Sequence, residues 1–238
     1  MNFALYVTTR CNMACKYCYQ IDNGYNESDT FCGRSDMTLD TWKAALDLSI
    51  RNKNHSTGFC IYGGEPLLRK DTIVEFVKYA KTKASDDHIV RYKLVTNGTL
   101  LDENFIKFAT SNKIDIALSH DGLMQDDCPL FANGSGSRDL LEEKIDLLLK
   151  YQPKAVVMIT VDPSCVTKFA ESVKYLFDRG FRIFLTTPRF ARECPWDDDT
   201  LELLAREYEK LAEIYLDWTL KGEEFYFAAF DSKIRKYI

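Results

Sequence analysis

The sequence predicts an α/β fold of parallel strands, a partial (β/α)6 barrel of the TIM type, with a doubly wound open sheet as the alternative. Three observations predict it. Six short apolar runs alternate with amphipathic segments of helical period. Several of the runs have nearly continuous apolar centres, as strands buried on both faces do. Four unusual loops each follow one of the first four runs, where parallel α/β folds place their ligands. Six βα units imply right-handed crossovers and stop short of the eight that close a full barrel.

The elements follow in order. "FALYV" (3–7) is the first strand, and the loop after it carries Cys11, Cys15 and Cys18. Thr38 stands where an N-cap belongs, before the helical "LDTWKAALDLSI". The second strand, "GFCIYG" (58–63), leads into "GGEPLL" and then a helix with Ile73, Phe76, Val77 and Ala80 on one face. "YKLVTN" (92–97) ends in "NGT", and Leu101, Phe105, Phe108 and Ala109 follow at helical spacing. "IDIALS" (114–119) ends in "SHDG", followed by a helix with Leu141, Ile145, Leu148 and Leu149. "AVVMITV" (155–161) precedes a helix with Phe169, Val173, Leu176 and Phe177, which Gly180 would terminate in a left-handed conformation. The sixth strand is "RIFLTT" (182–187). "DDD" (197–199) reads as the acidic start of one long helix over Leu201–Leu220, with Leu204, Leu211, Tyr215 and Trp218 near one face. In "EEFYFAAF" (223–230) the aromatic side chains serve core packing, or close the barrel or line a peptide groove.

No repeat, low-complexity tract or Pro- or Ser-rich linker interrupts the chain, so a single domain over 1–238 is expected, with βα repeats to 190 and a helical segment over 191–238. A chain of 238 residues buries roughly 70 to 75% of its unfolded surface, so a sizeable core is available. With 31 basic and 36 acidic side chains, a formal charge of −5 and no basic block, nucleic acid is not an expected partner. The N-terminus lacks the pattern of a signal peptide, and no window reaches the length of a membrane span, so the expected location is cytoplasmic. In a reducing compartment the eight cysteines are not expected to form a disulfide framework, and Cys32, Cys60, Cys128, Cys165 and Cys194 are scattered singly.

Three cysteines within eight residues need their own explanation. They are ordinary thiols, or a zinc site that Cys32 or His120 would complete as a fourth ligand, or the holders of an iron–sulfur cluster in which one iron keeps an open position. "GG" after a strand is by itself a turn, and Asn97, Ser119 and Asp121 are by themselves turn formers or caps.

Taken together, "CNMACKYCY", "GGEPLL", "TNGT" and "SHDG" resemble the radical S-adenosylmethionine superfamily, and most closely its peptide- and protein-modifying branch, which includes the anaerobic sulfatase-maturating enzymes and the maturases of ribosomally made peptides. The resemblance runs from about residue 5 to residue 190. It implies a 4Fe-4S cluster on Cys11, Cys15 and Cys18, whose open iron chelates the methionine moiety of S-adenosylmethionine. It implies that the backbone of Tyr17 lies against the adenine, that Gly63, Gly64 and Glu65 meet the methionine ammonium, and that Asn97 and Ser119 face the ribose. The implied activity is reductive cleavage of S-adenosylmethionine to a 5′-deoxyadenosyl radical that modifies a peptide or protein, with an electron donor such as flavodoxin or ferredoxin. A small-molecule or cofactor-precursor substrate and a non-catalytic metal-binding scaffold are the alternatives. One departure from the sulfatase-maturating pattern is that Phe131 stands where those relatives carry an arginine, and Arg138 is the nearest substitute. The branch commonly carries a C-terminal extension with further cysteines. Here no cysteine follows Cys194 and the chain stops in a helical pattern at "SKIRKYI", so a core domain cut short of that extension is expected.

Overall fold

The computed structural model describes residues 2–18, 36–51, 56–83, 88–128, 130–131, 133–190 and 195–236. The strand order is β1-β2-β3-β4-β5-β6-β7, so each successive βα unit adds its strand beside the last. The pairs β1–β2, β2–β3, β5–β6 and β6–β7 are parallel. The α/β class and all six expected strands are present, β4 at its expected ends and the others with ends displaced by at most three residues. A seventh strand joins them. The chain divides into two compact units, Met1–Asn12 with Asn26–Ala117 and Met13–Tyr25 with Leu118–Ile238.

In the first unit, β1 (Asn2–Tyr6), β2 (Ser56–Tyr62) and β3 (Ile89–Thr96) are crossed over by α1 (Leu39–Arg51) and α2 (Lys70–Lys83). Thr38 does cap α1, its Oγ1 accepting from the Thr41 amide at 3.3 Å. The expected face of α2 is buried, Ile73, Phe76, Val77 and Ala80 alike. Trp42 and Phe59 both pack edge-on against Phe76, with centroids 5.3 and 5.2 Å away. Helix α3 (Glu103–Ser111) starts at Asp102, whose carboxylate accepts from the Phe105 amide, so Leu101 precedes the helix and the buried face is Phe105, Ile106 and Ala109. The sequence pattern had Leu101 and Phe108 on that face. The Asp102 cap starts the helix two residues later, Leu101 is buried all the same from the turn before it, and Ile106 is buried while Phe108 is half-buried.

In the second unit the chain continues from the end of β4 (Ile114–Ser119) through α4 (Arg138–Tyr151), β5 (Val156–Val161), α5 (Phe169–Asp178), β6 (Ile183–Pro188) and α6 (Asp198–Leu220). Helix α5 ends as expected at Gly180, with φ +108°. There the Gly180 and Phe181 amides close back on Phe177 and Leu176. The acidic triplet is helix-starting chemistry: Asp197 and Thr200 form a reciprocal capping box, and Asp198 and Asp199 fill the first turn. The aromatic stretch becomes β7 (Tyr226–Phe227) and α7 (Ala228–Ile234). Phe227 is buried, and Phe225 packs edge-on against the stacked Phe177 and Trp218. Two residues of strand are too few for a period-2 signal, which is why the sequence shows packing there and not pairing.

Candidate functional site

The cysteine loop leaves β1 from a fixed root. Asp36 accepts a hydrogen bond from the Thr8 hydroxyl at 2.7 Å and forms ion pairs with Arg10 and Arg69. Cys11 is exposed, Cys15 and Cys18 are half-buried, and none of the three is in a disulfide.

The "GGEP" element is stitched to the root of the same loop. The Gly64 amide donates to the Thr8 carbonyl at 2.7 Å and the Glu65 amide to the Arg10 carbonyl at 2.8 Å. A Cβ on Gly63 would stand 2.4 Å from the Thr8 carbonyl oxygen, and one on Gly64 would stand 2.2 Å from that of Arg10. Both glycines therefore admit the neighbouring backbone. Glu65 is buried, and its carboxylate accepts from the Leu67 amide, the Thr96 hydroxyl and the Asn97 amide at 2.7–2.8 Å. Burial pushes this carboxyl up from its ordinary range, against those three hydrogen bonds, which pull it down.

Asn97 sits beside the first cysteine. Its side-chain amide nitrogen donates to Asn12 Oδ1 at 3.0 Å and to Cys11 Sγ at 3.8 Å, while its oxygen accepts from the Thr99 amide and hydroxyl.

In the second unit Tyr17 is tied to Asp121, its hydroxyl donating to Oδ2. Burial, then the neighbouring Asp121 and Cys15, raise the phenol well above its ordinary pKa. Burial lifts Asp121 to about 7, opposed by the hydrogen bonds from Tyr17 and the Thr160 amide. Ser119 is half-buried at the end of β4. His120 is buried with Nδ1 accepting from the Gly122 amide, and desolvation takes its pKa down to about 3. Phe131 pairs by its backbone with Met13, and Arg138 opens α4 with its amide on Asp126. Cys128 and Cys165 are buried, and Cys32 and Cys194 lie outside the described residues.

The sequence reading missed Asn12, Thr96, Asp36 and the Tyr17–Asp121 bond. Asn12, Thr96 and Asp121 stand inside the noted "CNMACKYCY", "TNGT" and "SHDG", but nothing local gave them these partners, and Asp36 had no trace at all.

The donor set fits an iron–sulfur cluster: three reduced thiols in C-x3-C-x2-C spacing, with an amide N–H near one sulfur. Among the described residues no three His, Cys, Asp or Glu side chains gather as a single metal ion requires. A cluster asks for less convergence, because each thiolate meets its own iron.

Comparison with known proteins places these features in context. The family model described as the Radical SAM superfamily matches residues 5–126. A cysteine-type anaerobic sulfatase-maturating enzyme of Clostridium novyi (strain NT) is 26% identical over 184 residues, covering 76% of this chain and 49% of that protein. A probable GTP 3′,8-cyclase of Methanococcus maripaludis (strain C6) is 32% identical over 121 residues, covering 49% of this chain and 36% of that protein. The solved structure of native anSMEcpe with bound AdoMet and Kp18Cys peptide superimposes with a TM-score of 0.82 at 18% identity, covering 97% of this chain and 65% of that one. The chain spans about half the length of the curated relatives it matches.

Proposed function

The chain belongs to the radical SAM superfamily, and from that premise we propose that it is the core of an enzyme that modifies a peptide or protein by abstracting a hydrogen atom. The observation that carries the proposal is the set of three reduced thiols, Cys11, Cys15 and Cys18, in the loop after β1. When bound, a reduced 4Fe-4S cluster supplies one electron to the sulfonium of S-adenosylmethionine, releasing methionine and the 5′-deoxyadenosyl radical.

The chain's own residues bind, orient and enclose. Cys11, Cys15 and Cys18 would hold the cluster. Gly63 and Gly64, fixed to Thr8 and Arg10, would offer their backbone to the methionine ammonium next to Cys11, with Glu65 holding that backbone in shape. Asn97, within 3.8 Å of the Cys11 sulfur, and Ser119, at the end of β4, are assigned to the ribose, and the Tyr17 backbone to the adenine. Residues 1–238 are read as one core domain, since no repeat, low-complexity tract or Pro- or Ser-rich linker divides the sequence. A flavodoxin or ferredoxin would deliver the electron, and a reducing cytoplasm suits both the cluster and the scattered thiols. Among the described residues no helix is long and apolar enough to cross a membrane.

The cyclase relative favours a second reading, a small-molecule substrate. The pocket in the second unit supports the peptide instead. About 380 Å³ in volume, it lies at the end of β6 and is lined by Pro188, Phe190, Pro195, Trp196, Leu201 and Leu204. The cation at its wall, Arg189, is already paired with Asp162 at 2.8 Å. Such a lining suits an apolar side chain better than a triphosphate.

The test is anaerobic reconstitution with iron and sulfide, followed by incubation with S-adenosylmethionine, a reductant and candidate peptides. A brown protein that forms 5′-deoxyadenosine, faster with a peptide than with a nucleotide, is expected. A colourless zinc protein, or one forming no 5′-deoxyadenosine, would overturn the proposal.

A further inference from the structure

The stretch of the cysteine loop that carries Cys15 and Cys18 is laid along a second stretch of chain. Met13 bridges Phe131, the Ala14 amide donates to the Leu130 carbonyl at 2.8 Å, and the Lys16 amide donates to the Cys128 carbonyl at 3.1 Å. Lys16 Nζ adds a bond of 2.8 Å to the Asp127 carbonyl. The line ends at Tyr17, whose hydroxyl reaches Asp121 Oδ2.

Asp121 is a fixed anchor. It is 2% exposed, and its second oxygen accepts from the Thr160 amide of β5 at 2.8 Å. Its own amide donates to Gln125 Oε1, and Gln125 donates onward to Ser137. The next residue, Gly122, has φ +65°, and a Cβ there would stand 2.7 Å from Ser172, so the turn that aims the carboxylate is packed against α5. A carboxylate can take both donors, Tyr17 and Thr160. An alanine can take neither, whereas an asparagine could keep both links, its oxygen accepting from Thr160 and its NH2 donating to the Tyr17 hydroxyl, which can also accept.

We infer that Asp121 is a positioning residue: through Tyr17 it clamps the Cys15–Cys18 stretch in its ligating arrangement before the cluster binds, and it slows cluster loss afterwards. The inference rests on the cluster proposal above. A preorganised loop spends no ordering entropy when the irons arrive and leaves the thiolates less freedom to swing away. Tyr17 lies one residue from Cys18 and two from Cys15, so one clamp at its hydroxyl restrains both.

The test uses the full reconstituted chain under anaerobic conditions and reads the rate at which iron passes to a chelator. Tyr17→Phe, which keeps the ring and removes only the donor, is expected to speed iron release about tenfold, as is Asp121→Ala. The double variant is expected to release iron no faster than the quicker single variant, because both changes break one link. Tyr175→Phe, which removes another part-buried tyrosine bond, the one to Glu142, is expected to lower the urea midpoint as Tyr17→Phe does but to leave iron release unchanged, which separates a clamp on the loop from general loosening. Where Asp121→Ala does not fold, Tyr17→Phe carries the test alone. Wild-type release rates in Tyr17→Phe, or additive effects in the double variant, would overturn the inference. A wild-type chain that takes up no iron would instead overturn the cluster proposal on which it rests.

Discussion

A Cβ on Gly64 would stand 2.2 Å from the carbonyl oxygen of Arg10, one residue before the first cysteine of the loop. The contact is with backbone, which cannot rotate away as a side-chain tip can. Gly64→Ala is therefore expected to push the root of the cysteine loop outward and to lower both iron content and S-adenosylmethionine affinity. A glycine needed only for close approach of the cofactor would lose affinity and keep its iron. Iron analysis beside a binding titration separates the two, and full iron with weakened binding would restore the simpler role.

Glu65→Ala removes the shared acceptor of the Leu67 amide, the Thr96 hydroxyl and the Asn97 amide. Buried donors left without a partner cost about 1–3 kcal/mol each, so a loss of several kcal/mol in urea unfolding is expected. Affinity for S-adenosylmethionine should fall at least tenfold while the three thiols still take up iron. Unchanged affinity would reduce "GGEP" to a turn.

Replacing Cys11, Cys15 or Cys18 by Ala should abolish the visible absorbance of the cluster and all cleavage of S-adenosylmethionine. Cys165→Ala, at a buried thiol in the turn after β5, should do neither. Full iron in Cys15→Ala would remove the ligand assignment.

Reconstituted protein should hold about four irons per chain, the content of one cluster. Iron near eight, with spectra of two distinct clusters, would make ligands of Cys32, Cys128 or Cys194. Cys128 is buried, and the other two lie outside the described residues.

His120 gives the apo chain an acid limit. Its pKa falls from an ordinary 6.5 to about 3 on folding, chiefly by burial, so between those values the unfolded chain takes up a proton that the native one refuses. The stability this group contributes is complete above pH 6.5 and is lost as pH falls towards 3. Going from pH 7.5 to pH 5 should cost the wild type about 2 kcal/mol more than His120→Asn, which keeps an acceptor for the Gly122 amide. Asp121 and Glu65, raised by burial, act with the opposite sign in both proteins and cancel in the comparison. Equal acid losses in urea unfolding at the two pH values would contradict the buried neutral imidazole.

The amino-acid sequence by itself determined the alternation of strands and helices, most of the buried helix faces, the Thr38 cap and Gly180 stop, and the three cysteines. These are local properties, set by periodicity, capping chemistry and spacing along a few turns of chain. Its limits show at particular residues. Gly63 and Gly64 were visible as glycines, but the backbone they admit belongs to Thr8 and Arg10, more than fifty residues earlier. Glu65 was visible as a carboxylate, but its burial and its three donors come from β3 and the turn after β2. Asp121 read as turn chemistry until folding brought it to Tyr17, 104 residues away in sequence. Only the tertiary structure decides such partners, because a hydrogen bond depends on which donor arrives within about 3 Å, and no local pattern encodes the arrival of a distant strand end.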